Sequence, residues 1–232
     1  MKFTKISAPS MKELFVRQLT EAILSGELTV GEKLPAEREL AQQMQVSRAV
    51  VNSGINELAR CGFVEVRPRQ GTFVADFRRY GNMDTLIAIM EYNGGQLAEK
   101  QARDLLQVRK EMEHLACELA IDCASEEELG KLGTIIGEMK RARTSRQAAE
   151  LAFQFQHELT YAGGHSMLLL IYYSFKGPAM ALWEWFCKRH GMEELCHNYA
   201  SLYEYVRMRD KRAVHQWIDY YLDGLIKECE NP

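Results

Sequence analysis

The sequence predicts a mainly α protein: an N-terminal winged helix-turn-helix with a two-stranded wing, then a C-terminal antiparallel all-helical bundle of about seven helices. Three observations carry this expectation. Leu40, Ala41 and Met44 recur at helical spacing, Gln45-Val46-Ser47 interrupts, and a second helical run begins at Arg48. Two short β-rich runs, 63–66 and 72–74, flank Arg67-Pro68-Arg69-Gln70-Gly71. From residue 83 onward the apolar period is helical throughout.

The first helix is expected from Ser10, which with Glu13 forms a capping-box pattern, and carries the stripe Leu14, Phe15, Leu19, Ala22 and Ile23 up to Gly26. Pro35 is expected to open the second, at a position where its missing N–H costs nothing. Ser47 is placed to cap the third, so that Arg48 to Asn52 point away from the body while Val51, Ile55 and Leu58 pack inward. Cys61-Gly62 closes that helix. The turn between the two β-runs sets arginines and a glycine at the tip of a hairpin, where guanidinium and backbone N–H groups can meet phosphates or a minor groove. The expected domains are 1–75, a polar linker at 76–82, and 83–232.

In the second domain, Met83 to Met90 predicts a short helix closed by Asn93-Gly94-Gly95, and Leu105 to Ala120 a long one. Ser125 with Glu128 caps a third, ending near Arg143, and Leu151 to Ala162 predicts a fourth, ending at Gly163-Gly164. An apolar helix over 168–186 contains Pro178, which is expected to kink or split it and bend the wall of the bundle. Helices from about Glu193 to Met208 and from Asp210 to Glu228 complete the set. Arg109 falls on an otherwise apolar helical face, where a guanidinium must be paired. Glu113, four residues on, can be that partner, either as a purely structural pair or with Arg109 left to meet an anionic ligand.

The totals narrow the function classes. The 232 residues are 47% hydrophobic, enough for two packed cores. Net charge is −3, yet residues 1–79 hold 12 Lys and Arg against 9 Asp and Glu, so the basic surplus lies in the first domain. The six cysteines show no C-x-x-C pair, and no run reaches the length of a membrane span, so a cytoplasmic protein with no membrane partner is expected. No phosphate loop, G-x-S-x-G or H-E-x-x-H occurs, and adjacent Cys196-His197 would point about 100° apart on a helix, so no catalytic residues are assigned and no enzyme is expected.

Four ordered blocks carry a resemblance: Leu34-Pro35-Ala36-Glu37-Arg38-Glu39-Leu40-Ala41, Val46-Ser47-Arg48, Leu58-Ala59-Arg60-Cys61-Gly62-Phe63-Val64 and Gly71-Thr72-Phe73-Val74. Together they resemble the DNA-binding domain of the GntR family of bacterial transcription regulators. The resemblance implies that Arg38 contacts a phosphate or base, that Arg48 behind Ser47 reads a base, and that Arg67, Arg69, Gln70 and Gly71 approach the minor groove. Where many members carry a further arginine this chain has Asn52, which can read adenine. Val108-Arg109-x-x-Met112-Glu113 with Ala116 and Leu119-Ala120, and later Phe155, Leu159 and Ala162 to Leu168, are similar to the effector domain of the FadR branch.

That branch often holds a metal with an aspartate and three histidines. Matched positions here are Ala152, Gln156, Tyr199 and Tyr220, so no metal and no cofactor are expected, and His157 lies one residue out of register. Absent ligands and the segment around Tyr172 resemble a metal-free kind of FadR-branch regulator that binds long-chain acyl-CoA. The resemblance thus implies a homodimeric transcription regulator, repressor or activator according to where its operator lies. It would bind a short palindrome in double-stranded DNA. A small-molecule effector, an acyl-CoA or related amphipathic acid, would sit near Arg109, Glu113, Gln156, Tyr172, Tyr199 and Tyr220. The alternatives are a small carboxylate effector, with or without metal, and a protein that binds DNA without sequence preference.

Overall fold

The computed structural model describes residues 9–93 and 99–229. The chain divides into two compact units, Met1–Gly95 and Gln96–Pro232.

In the first unit, α1 (Met11–Ser25) starts from a complete capping box. The Ser10 hydroxyl accepts from Glu13 N at 3.2 Å, and the Glu13 carboxylate accepts from Ser10 N at 2.7 Å. It ends at Gly26, whose φ of +84° suits glycine. Phe15, Leu19 and Ile23 face the core, while Leu14 stays exposed. α2 (Glu37–Gln43) begins two residues later than Pro35, which precedes the cap at Ala36 instead of opening the helix. α3 (Arg48–Arg60) starts from Ser47, whose hydroxyl accepts from Val50 N at 3.3 Å. It crosses α1 at Gly54, where a Cβ would lie 2.3 Å from the Phe15 ring. A glycine is therefore what allows the two helices this close.

Gly62, at φ +73°, turns the chain into β1 (Val64–Arg67), which pairs antiparallel with β2 (Gly71–Val74) in the register Val64 to Val74 and Arg67 to Gly71. A bridge from Lys33 to Phe73 ties the segment before α2 to this wing.

The stretch expected to be a linker is folded. α4 (Phe77–Tyr80) buries Phe77 against Phe63, ring centroids 5.4 Å apart. Asn82 then caps α5 (Met83–Tyr92) and donates to Arg60 O at 2.9 Å, while buried Thr85 donates to Cys61 O at 2.6 Å. Ala88 and Ile89 of α5 pack on the same core. The helix expected to open the second domain thus belongs to the first unit, because one aromatic and two capping hydroxyl and amide groups anchor it to the end of α3. Asn93 closes α5 as expected; Gly94-Gly95 lies outside the described residues.

The second unit contains, among the described residues, seven helices: α6 (Glu99–Cys123), α7 (Glu126–Met139), α8 (Ser145–Ala162), α9 (Ser166–Ser174), α10 (Lys176–His190), α11 (Met192–Arg207) and α12 (Lys211–Glu228). α7 has the expected capping box between Ser125 and Glu128. α8 is the central helix, packed on α6, α7, α9, α10 and α11, and its fully buried Ala148, Ala149 and Ala152 let neighbours approach closely. α6 and α12 run antiparallel, as their polar pairs show: Lys110 with Asp223 at 2.8 Å, His114 with Asp219 at 3.1 Å, Glu118 with His215 at 2.7 Å and Asp122 with Lys211 at 2.6 Å.

The single helix expected over 168–186 is two. The break falls at Phe175, and Pro178 occupies the third position of α10, where helix N–H groups lack intrahelical partners in any case. The proline therefore sits at a new helix start and does not kink an old one. No described helix is long and apolar enough to cross a membrane.

Candidate functional site

Two sets of polar residues stand out, one on the outside of the first unit and one inside the second. On the first unit, α2, the turn after it and α3 project Arg38, Ser47, Arg48 and Asn52 into solvent, while Val51, Ile55 and Leu58 form the buried side of α3. Arg38 and Arg48 make no ion pair among the described residues, so their guanidinium donors remain free. Asn52 is engaged on both sides: its Nδ2 donates to Glu37 Oε1 at 3.5 Å, and its Oδ1 accepts from Asn56 Nδ2 at 3.2 Å.

At the wing, the four expected residues divide into different roles. Arg67 is committed: it donates to Glu65 at 2.9 Å and its guanidinium lies 4.5 Å over the Phe73 ring. The hydrogen bond to Glu65 holds the Arg67 pKa above, and the Glu65 pKa below, the ordinary range. Alternate residues on a strand share a face, so Glu65 is the neighbour that Arg67 meets there. Arg69 is exposed with no ion pair among the described residues, and has φ +63°, the third position of a turn closed by Gln70 N donating to Arg67 O at 3.0 Å. Gly71, at φ +116°, returns the chain into β2.

The second set is a buried cluster. Arg109 (7% exposed) on α6 donates through Nε to Glu113 Oε2 at 3.0 Å, and Gln156 of α8 donates to the other carboxylate oxygen at 2.6 Å. Arg109 Nη2 donates to the Tyr199 hydroxyl of α11 at 3.3 Å, and the guanidinium lies 5.0 Å over the Trp183 ring of α10. Side chains of α6, α8, α10 and α11 therefore meet at one buried ion pair. Burial alone pulls the Arg109 pKa down, but Glu113 outweighs it and the net shift is upward, so the guanidinium stays charged. Burial raises the Tyr199 and Tyr172 hydroxyls above their ordinary values, which keeps both protonated. A cavity of about 20 Å3, room for roughly one water, is lined by Leu105, Val108, Arg109, Met112, Tyr172, Phe175, Ala179 and Leu182. It lies where α9 gives way to α10, so the helix break and the void belong together.

Gln156 and Tyr199 meet in this cluster, and Ala152 is buried on α8 one turn before Gln156. Tyr220 does not join them. It is 86% exposed, whereas Tyr221, one residue and about 100° further round the helix, packs against the core together with Trp217. A methyl, an amide and a buried neutral phenol are poor ligands for a divalent ion. Among the described residues no three His, Cys, Asp or Glu side chains are grouped to hold a metal. His157 instead stacks on Phe153 at 6.0 Å.

Residues 13–74 match the family described as bacterial regulatory proteins, gntR family, and residues 104–224, more than half of the chain, match the FCD domain. The chain belongs to the GntR family. Within that family it is FadR-like, with a GntR helix-turn-helix followed by an FCD domain. It is 34% identical over 132 residues to the transcriptional regulator Mce2R of Mycobacterium tuberculosis, covering 57% of this chain and 54% of that one. It is 27% identical over 172 residues to the fatty acid metabolism regulator protein of Shewanella pealeana, covering 74% and 70%. The match to Mce2R thus spans little more than half of that protein's length. Among solved structures, Lar of Listeria monocytogenes has the same fold, with a TM-score of 0.63 at 18% identity over 97% of this chain and 99% of that one.

Sequence reasoning about this GntR-family chain missed three features: the placement of Trp183, one of the domain's many aromatics, under Arg109, Tyr221 in place of Tyr220, and the Glu37 and Asn56 partners of Asn52. Only the last left a usable signal, because Asn52 and Asn56 are four residues apart on an exposed helical face.

Proposed function

We propose that the protein is a sequence-specific DNA-binding transcription regulator whose operator affinity is set by an anionic effector bound in the FCD domain. The observation that carries the DNA half is the pair of exposed arginines, Arg38 and Arg48, without carboxylate partners among the described residues, beside a helix N-terminus and a wing whose tip holds Arg69. Free guanidinium groups on a protruding helix are what the major groove and its phosphates recruit. Dimeric helix-turn-helix proteins read half-sites related by their own two-fold axis, so the protein acts as a homodimer on a short palindrome.

The effector half rests on Arg109. Its Nε and one Nη2 donor are spent on Glu113 and Tyr199, which leaves N–H groups unpaired beside the cavity it lines. A carboxylate or phosphate reaching that void meets a fixed cation and needs no metal. The name of the Shewanella relative favours a fatty acyl ligand, an acyl-CoA or related amphipathic acid, as the effector. The size of the void favours a second reading, a small carboxylate, since any acid must widen it and an acyl chain needs α6 to part from α9 and α10 by far more.

Thermal unfolding of the purified protein against long-chain acyl-CoAs, fatty acids and small carboxylates, each with and without a chelator, tests this. A ligand that binds the folded state raises the midpoint by mass action. A rise with one of these acids that is indifferent to chelator is expected. A midpoint that drops with chelator alone would contradict the metal-free reading.

A further inference from the structure

We propose that Glu37 and Asn56 are positioning residues that lock the Asn52 carboxamide in the orientation that pairs with adenine. This rests on the reading of α3 as the DNA-reading helix. Arg48, Asn52 and Asn56 are spaced four apart and lie on the exposed face of α3, so their side chains form one ladder. A carboxamide can flip by half a turn about its last bond with little change in shape, exchanging donor for acceptor. A free asparagine at this position would therefore present either edge to the groove.

Glu37 removes that freedom. Its carboxylate only accepts, so the edge of Asn52 that faces it must be the NH2 group, as seen in the 3.5 Å contact from Nδ2 to Glu37 Oε1. With the amide so turned, Oδ1 faces along the helix and accepts from Asn56 Nδ2 at 3.2 Å. The two contacts consume one N–H and one lone pair of Asn52. One N–H and one lone pair remain, which is the complement that the N7 acceptor and N6 donor of adenine require in the major groove. Guanine, with acceptors at both N7 and O6, meets the fixed Oδ1 with an acceptor and is rejected. Glu37 also carries a cost. A carboxylate beside phosphates weakens attraction to every duplex alike, so its effect on overall affinity and its effect on base choice have opposite signs.

That opposition makes the test specific. Full-length wild type, Arg48→Ala, Asn52→Ala, Glu37→Ala and Asn56→Ala would each be used to select duplexes from a randomised library at fixed salt. Both partner residues are exposed, so the fold is kept. The base position whose preference disappears in Asn52→Ala marks the site read by that residue. The wild type is expected to choose adenine there. Glu37→Ala is expected to lose that preference on the order of tenfold while binding all duplexes more tightly, and Asn56→Ala to lose part of it with overall affinity kept. Preferences at positions that depend on Arg48 should persist in both. Adenine preference at wild-type strength in Glu37→Ala and Asn56→Ala, or a base other than adenine at the marked position, overturns the inference. If Arg48→Ala leaves the selected sequence unchanged, the reading of α3 itself has failed, a result distinct from either.

Discussion

Arg48 and Arg109 are the same residue type used in opposite ways. Arg48 stands in water on the outer face of α3 with no ion pair among the described residues, whereas Arg109 is buried in the helical bundle with its charge matched by Glu113, its plane covered by Trp183 and one donor spent on Tyr199. An exposed, unpaired cation can be removed at no structural cost, so only function holds it in place. A buried, paired cation is part of the architecture first, and any binding role uses what pairing leaves over. On the proposed reading, the first unit separates folding from recognition and the second makes them share residues.

The comparison breaks most visibly at Arg109. Arg109→Ala leaves Glu113 buried without its partner and is expected to cost about 3–5 kcal/mol, read as a lower midpoint in denaturant. Replacing both partners, Arg109→Met with Glu113→Leu, keeps volume and is expected to come within about 1–2 kcal/mol of wild type, yet to abolish the midpoint rise given by an acidic effector. Gly54→Ala, which drives a methyl into the Phe15 ring, is expected to cost about 1–3 kcal/mol in the same assay.

Arg48→Ala is expected to do the reverse. Unfolding should be unchanged, while operator binding weakens by about 1–3 kcal/mol per half-site contact, enough to erase discrimination against unrelated duplexes in titrations at fixed salt. At the wing, Arg69 holds a left-handed conformation that costs an L-residue roughly 1 kcal/mol. Arg69→Gly should therefore stabilise the first unit by about that amount while reducing DNA affinity and flattening its salt dependence. The smallest effect is expected at Tyr220. Its ring is 86% exposed, so Tyr220→Ala should leave both stability and the effector response within about 0.5 kcal/mol of wild type, while Tyr221→Ala should not.

The same contrast explains how far the sequence could be read. In the first unit, the residues proposed to read DNA are those left out of the apolar stripe, so Arg48 and Asn52 could be picked out by period, Arg38 through the family resemblance, and Ser10, Ser47 and Gly62 marked the helix ends. The linker was misplaced because a polar stretch hides a single anchor, Phe77, whose partner Phe63 is fourteen residues away. In the second unit, Gln156, Trp183 and Tyr199 sit in the core and follow the core's own period. Arg109 alone broke the pattern. The one-residue error at Tyr220 arose because a position counted along the chain is not anchored to a helical face, and a step of one changes that face by about 100°. The split at Phe175 was misassigned to Pro178 because an apolar run gives no sign of where tertiary packing ends one helix and starts the next.

The most direct test compares binding of a selected operator and a scrambled duplex at one salt concentration, for wild type, Arg48→Ala and the Arg109→Met/Glu113→Leu pair. Wild type is expected to prefer the operator by about a thousandfold or more, the Arg109/Glu113 pair to keep that ratio, and Arg48→Ala to bring it close to one. Equal binding of both duplexes by wild type, or a ratio lost in the buried pair and kept in Arg48→Ala, would contradict the division of roles between the two units.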